Sequence, residues 1–193
     1  EMEPESEKFI KPLISAHEYL NGEKRYCLWL VDAEPSELKK LPNLLNRIEG
    51  VRQMRLKSSK QATVNWAAKP TLFTENRQPK TNYILVPSHS SENRTYIPMG
   101  FMTKDDILNN SCLSIPNATL FHFGVITSLM HMTWTKNVCG RLESRISYSN
   151  TIVYNNFPWP FCNSTENSVP KVPPALDGKA QAAIENAAQA VLD

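Results

Sequence analysis

Apolar and polar residues alternate in short blocks along this chain, and the block lengths call for mixed helices and strands. The run Tyr26-Cys27-Leu28-Trp29-Leu30-Val31 follows the turn pair Asn21-Gly22 and predicts a buried strand. Glu34 and Pro35 open a helix that is expected to break at Pro42, reach about Ile48 and stop at Gly50. Residues 51–68 predict another helix, with Val51, Met54, Ala62 and Trp66 as its buried stripe. Residues 81–87 and 96–101 read as strands of a hairpin around a polar loop at 88–93, and Leu113-Ser114-Ile115 as a third strand. The longest apolar pattern covers 119–138. It predicts one helix, capped by Asn117 or Thr119, closed by a left-handed Gly140 and buried nearly all round. Residues 155–174 hold Pro, Asn, Phe and Trp without a period, which reads as an irregular strap. The last helix starts at Asp177. Its apolar positions Ala183, Ile184, Ala187, Ala188 and Val191 need a surface to dock on, expected on parts of the protein beyond this chain.

These elements point to an α+β fold: a small antiparallel sheet flanked by helices, an irregular Pro/aromatic strap and a C-terminal helix. The expected organisation is an acidic linker remnant at 1–7, a main domain at 8–160, a Pro-rich strap at 161–176 and the helix at 177–193. The abrupt acidic start, Glu1-Met2-Glu3-Pro4-Glu5-Ser6-Glu7, suggests a piece of a longer protein.

Composition narrows the class. Apolar residues are 41% and charged residues 21% of the chain, an ordinary soluble balance. No apolar run has membrane-spanning length, and no secretory leader is visible. Cys27, Cys112, Cys139 and Cys162 have no zinc-like spacing and read as reduced thiols of a cytoplasmic protein.

The net charge of +2 hides an uneven distribution. Residues 1–50 carry seven basic against ten acidic side chains, whereas residues 51–80 carry seven basic against Glu75 alone. A basic block of this kind suits a polyanion, or else is simply a solvated helix face. Arg52, Arg55, Ser59 and Lys60 in it, and Ser91 and Arg94 in the polar loop, are candidate phosphate contacts.

No catalytic set emerges. The four histidines share no ligand spacing, and no phosphate-binding or nucleophile motif occurs. Cys139 at a helix C-terminus is poorly placed for a thiolate. The chain is therefore expected to be non-catalytic by itself. The sharpest chemical signal lies in Gly140-Arg141-Leu142-Glu143-Ser144-Arg145-Ile146-Ser147-Tyr148. In an extended loop Glu143 and Arg145 would point the same way. Together they complement one G·C base pair in the major groove: Arg donates to guanine O6 and N7, and Glu accepts from the cytosine amino group.

Four segments in order carry a family resemblance: 25–30 (Arg-Tyr-Cys-Leu-Trp-Leu), 91–98 (Ser-Glu-Asn-Arg-Thr-Tyr-Ile-Pro), 140–145 (Gly-Arg-Leu-Glu-Ser-Arg) and 148–160 from Tyr148 to Pro160. Over roughly residues 8–193 the chain resembles the target-recognition domain of MmeI-like type IIL restriction–modification enzymes. That resemblance implies a sequence-specific duplex-DNA recognition domain without a nuclease or methyltransferase. The parent would be an adenine-N6 methyltransferase using S-adenosylmethionine, with Mg2+ for any nuclease, and would flip the adenine out of the helix. It implies partners in double-stranded DNA and in the methyltransferase domain of the same polypeptide, with no membrane. The base-reading loop would fall on 141–148, using Arg141, Glu143, Arg145 and Ser147, with Ser111 nearby as a helper. Glu143 and Arg145 resemble the members that read C with G opposite. Many members carry Arg where this chain has Ser147. The competing expectation is a protein-interaction or structural domain with no base readout.

Overall fold

The structure, a computed structural model, describes residues 3–160 and 178–193. After a 3-10 turn at Pro4–Phe9 come β1 (Ile10–Ile14), α1 (Ala16–Asn21), β2 (Tyr26–Leu28), α2 (Pro35–Leu38), α3 (Pro42–Leu56) and α4 (Gln61–Asn65). Strands β3 (Tyr83–Pro87), β4 (His89–Ser90), β5 (Gly100–Met102), β6 (Ile107–Leu108) and β7 (Cys112–Pro116) follow. Then come α5 (Leu120–Ile126), α6 (Leu129–Val138), β8 (Gly140–Leu142), β9 (Arg145–Ser147), a π turn at Asn150–Tyr154 and α7 (Gly178–Leu192).

The α+β class holds, but the strands form three small sheets instead of one, and the chain divides into two compact units. One unit comprises residues 1–78 and 105–110, the other 79–104 and 111–193. The expected strap at 161–176 lies outside the described residues.

In the first unit β1 pairs antiparallel with β2 and parallel with β6. The expected buried strand at 26–31 is short, and Tyr26 is exposed. Phe9, Leu30, Leu38, Leu41 and Leu44 form the core. Pro42 does break the helical stretch, because α3 starts there with the proline in its first turn. Gly50 does not stop it. The helix continues to Leu56, since its ends are held by Leu44 in the core and by Arg55. The 51–68 helix is thus the end of α3 plus the short α4, and Met54 faces solvent rather than forming a buried stripe.

The second unit is built on β3, which is buried along its whole length. It pairs antiparallel with β5 (Ile84↔Phe101) and with β7 (Ile84↔Ile115). The expected hairpin partner therefore lies at 100–102, a few residues later than its β-favouring run. The long helix at 119–138 is two helices. Thr127 and Ser128 hydroxyls donate to the carbonyls of Phe123 and Val125 at 2.7 Å each, and Ser128 Oγ then accepts from His131 N at 3.1 Å. Serine and threonine thus end one helix and cap the next. As a result Leu129 and Met130, expected in the core, are exposed. Thr119 caps α5 as expected, in a reciprocal arrangement with His122.

The C-terminal helix finds its surface within the chain. It lies on α5, where Ala188 is buried, and a Cβ on Gly124 would come within 2.8 Å of Ile184 Cγ2 and 3.2 Å of Ala188 Cβ. Only a glycine allows that approach.

Candidate nucleic-acid interface

The segment read as an extended loop is a two-stranded hairpin. Strands β8 and β9 pair antiparallel through Arg141↔Ile146 and Leu142↔Arg145, leaving Glu143 and Ser144 as the turn. A two-residue hairpin demands a positive φ, and Glu143 supplies it at +57°. Glutamate is a poor choice there, and its strain, of order 1 kcal/mol, falls on a candidate contact residue. Gly140 is not the left-handed helix terminator that was expected. Cys139 leaves α6 with extended angles and Gly140 enters β8 directly.

Glu143 and Arg145 do meet, though through the turn rather than by strand alternation. Arg145 Nη2 donates to Glu143 Oε2 at 2.9 Å. Their side chains are 78% and 47% exposed, so the pair stands in solvent and contributes little stability. Acceptor and fork are held side by side, free to exchange each other for new partners.

The hairpin is anchored from below. Ile146 is buried, and β9 also pairs with β4 (His89↔Ser147, Ser90↔Ile146). Tyr148 N donates to Ser88 O at 2.8 Å, and Ser88 N donates to Ser111 O at 3.0 Å. Ser111 thus sits at the base of this sheet. Arg141 donates to Lys136 O at 3.1 Å and to Ser144 O at 3.5 Å, bracing the turn against the end of α6. Ser147 Oγ lies 3.4 Å from His89 Nε2.

One acidic residue of this cluster was not among the candidate contacts read from the sequence. Glu92, in the loop after β4, has its carboxyl held below the usual range, first by its own backbone N–H, then by the Ser144 hydroxyl, with Arg141 and Arg145 adding attraction. It lies 49 to 53 positions away from its partners, and no local spacing betrays it.

Beneath the hairpin lies an aromatic floor. Trp134 Nε1 donates to Val153 O and Trp159 Nε1 to Tyr154 O, while Phe157 packs edge-on against Trp134, Trp159 and His131. His131 is fully buried, with Nε2 2.9 Å from the Tyr148 hydroxyl. Burial lowers its pKa to about 4 and pushes the Tyr148 phenol up. The unfolded chain protonates near 6.5, before the folded one. Stability is therefore fully present above about pH 6.5, falls as pH drops toward 4, and levels off below. The expected loss is about 3 kcal/mol, from 1.36 kcal/mol per unit. Denaturant unfolding at pH 7 and pH 4 checks this, and His131→Gln should lose that component of the slope.

The candidate phosphate contacts fall into two groups. Ser91 and Arg94 share a turn in the second unit. Ser91 Oγ accepts from Asn93 N at 3.2 Å, and Arg94 is half-buried. In the first unit Arg52, Ser59 and Lys60 are exposed, with Arg52 3.7 Å from Glu49. Arg55 is a correction. It is buried, and its guanidinium donates to the carbonyls of Trp66 (3.0 Å), Lys69 (2.8 Å) and Leu72 (2.7 Å). It fastens residues 66–72 to α3, and its burial withdraws it from the phosphate contacts. The basic block is further diluted by the Arg77–Glu75 pair at 2.9 Å.

A family model described as MmeI, target recognition domain, matches residues 1–161. The chain belongs to this family. The solved structure of the type IIL restriction–modification enzyme MmeI in complex with DNA matches 98% of the chain at 42% identity, with a TM-score of 0.85. DNA methyltransferase A of Bacillus subtilis (strain 168) is 42% identical over 158 residues, 81% of the chain. The chain spans 24% of the MmeI chain and 18% of the Bacillus enzyme. Among the described residues of this MmeI-type recognition domain, no helix is long and apolar enough to cross a membrane. Nor does any group of three or more His, Cys, Asp or Glu there suit a metal ion.

Proposed function

We propose that this chain is the sequence-reading part of a larger DNA-modifying enzyme and binds duplex DNA with the β8–β9 hairpin in the major groove. The observation that carries this reading is the solvent-exposed Glu143–Arg145 pair at the tip of a hairpin whose base is fixed by Ser88, Ile146 and Tyr148. A two-stranded ribbon fits the major groove, and a rigid support lets base contacts discriminate. Arg145 donates to guanine and Glu143 accepts from cytosine in one base pair. Arg141 braces the turn, and Ser147 with Ser111 flanks it. The likeness to a DNA-bound enzyme and to a DNA methyltransferase supports this assignment.

The catalytic work belongs to other parts of such a protein. There a methyltransferase domain would use S-adenosylmethionine to methylate the N6 of a flipped adenine, and any nuclease would use Mg2+. The residues described here supply grip and readout, inside the cell where DNA is met. Arg52, Ser59, Lys60, Ser91 and Arg94 are proposed to hold phosphates.

Arg52→Ala with Lys60→Ala is expected to weaken binding to all sequences about equally and to lower the salt slope by about 1 to 2. Titration of matched and mismatched duplexes at several salt concentrations checks it, and a change in preferred sequence would contradict the phosphate role. A protein-docking reading is favoured by one feature, an open apolar cleft of about 1110 Å³ in the first unit lined by Tyr26, Met54, Leu72 and Phe73. Absence of salt-dependent DNA binding would leave that reading standing.

A further inference from the structure

The β4–β9–β8 sheet has two unlike faces. Cross-strand partners share a face, and successive residues alternate. Ile146 and its β4 partner Ser90 are buried, which puts Arg145, Ser147 and their partners Leu142, Gly140 and His89 on the outer face. Two rows cross that face. One holds Arg145 and Leu142, at the tip. The other runs Gly140, Ser147, His89. A Cβ on Gly140 would meet only Ser147 Cβ, at 3.9 Å, so two of the three positions in this row are small. His89 is the one long polar side chain in it. It is half-buried, and its Nε2 is 3.4 Å from Ser147 Oγ. The rows are about 7 Å apart along the strand, close to two base-pair steps of about 3.4 Å.

With Nε2 accepting from the Ser147 hydroxyl, the neutral imidazole carries its proton on Nδ1 and has that one N–H to donate. One donor cannot distinguish guanine from adenine, because both present N7 as an acceptor in the major groove. Placed at the N7 position it does distinguish purine from pyrimidine, since there thymine presents its methyl group and cytosine a C–H. We propose that His89 is a specificity-determining residue that donates to purine N7 in a base pair within two steps of the one read by Glu143 and Arg145. Ser147 steadies the ring. This rests on the DNA-reading role above and adds a base contact from a different strand of the sheet, where the hairpin itself carries only a serine.

The test is carried out in the full-length protein containing this chain, by mapping methylated sites from a randomised DNA library. The intact protein should show a purine preference within two positions of its G·C-reading position. His89→Ala should reduce that purine preference about fivefold or more and leave the G·C position unchanged. His89→Gln should narrow the purine to adenine, since a carboxamide pairs with adenine N6 and N7. It also decides the matter should the alanine variant fold poorly. An unchanged preference at every position in either folded variant overturns the proposal. So does a uniform loss over all sequences, which would make His89 a general contact. The Glu143/Arg145 exchange described below separates the two levels. If that exchange alters the site while the His89 variants do not, only the histidine assignment falls. If neither alters it, the base-reading role of the sheet falls too.

Discussion

Exchanging Glu143→Lys together with Arg145→Asp in the full-length protein is expected to turn the preferred base pair from C·G to G·C at a single position of the recognised strand. The exchange inverts donor and acceptor at the hairpin tip. The new cation meets guanine where cytosine stood, and the new carboxylate accepts from cytosine on the other strand. A well-formed base contact is worth about 1–3 kcal/mol, so the preference should move by roughly tenfold to a hundredfold in each direction. Backbone strain does not confound the comparison, because glutamate and lysine both carry a Cβ at the φ of +57°. Arg145→Asp alone is a harsher change. It leaves two carboxylates at the tip, beside Glu92, and should lower binding to every sequence. Sequencing of methylated sites reads the result, and an unaltered site would remove these two residues from base recognition.

Arg55→Ala is expected to lower the stability of the first unit by roughly 3–5 kcal/mol, since a buried side chain and its three charge-assisted bonds to the carbonyls of Trp66, Lys69 and Leu72 are lost together. Arg55→Lys should recover little. An ammonium is a point donor and cannot span acceptors that belong to Trp66, Lys69 and Leu72 as a planar fork does. Thermal or denaturant unfolding gives the loss. Urea-free DNA titration of the folded fraction separates it from any direct effect on binding. A variant that unfolds like the parent but binds DNA weakly would restore Arg55 to the phosphate contacts.

The contrast between these two arginines explains what the sequence could reveal. Arg145 was legible because its partner is two residues away and the chemistry of the pair is local. Arg55 lies in a run of basic residues, and nothing nearby announces that the chain will fold back at 66–72 to surround it. Glu92 is the same case with the opposite charge. Strand β3 and helix α7 follow from apolar patterns, whereas the split of 119–138 depends on two hydroxyls out-competing a favourable apolar run. The three-sheet arrangement was hidden because its strands are mostly two or three residues long, below the length at which alternation can be counted.

The parallel pairing of β1 with β6 joins residues 13–14 to 107–108, across the whole of β3 to β5. A ribosome adds about 5–20 residues each second, so the first sheet waits several seconds with one edge bare until its last strand emerges. Ending the chain after residue 78 would make that wait permanent. An autonomous version of this unit has to be spliced from two stretches of coding sequence.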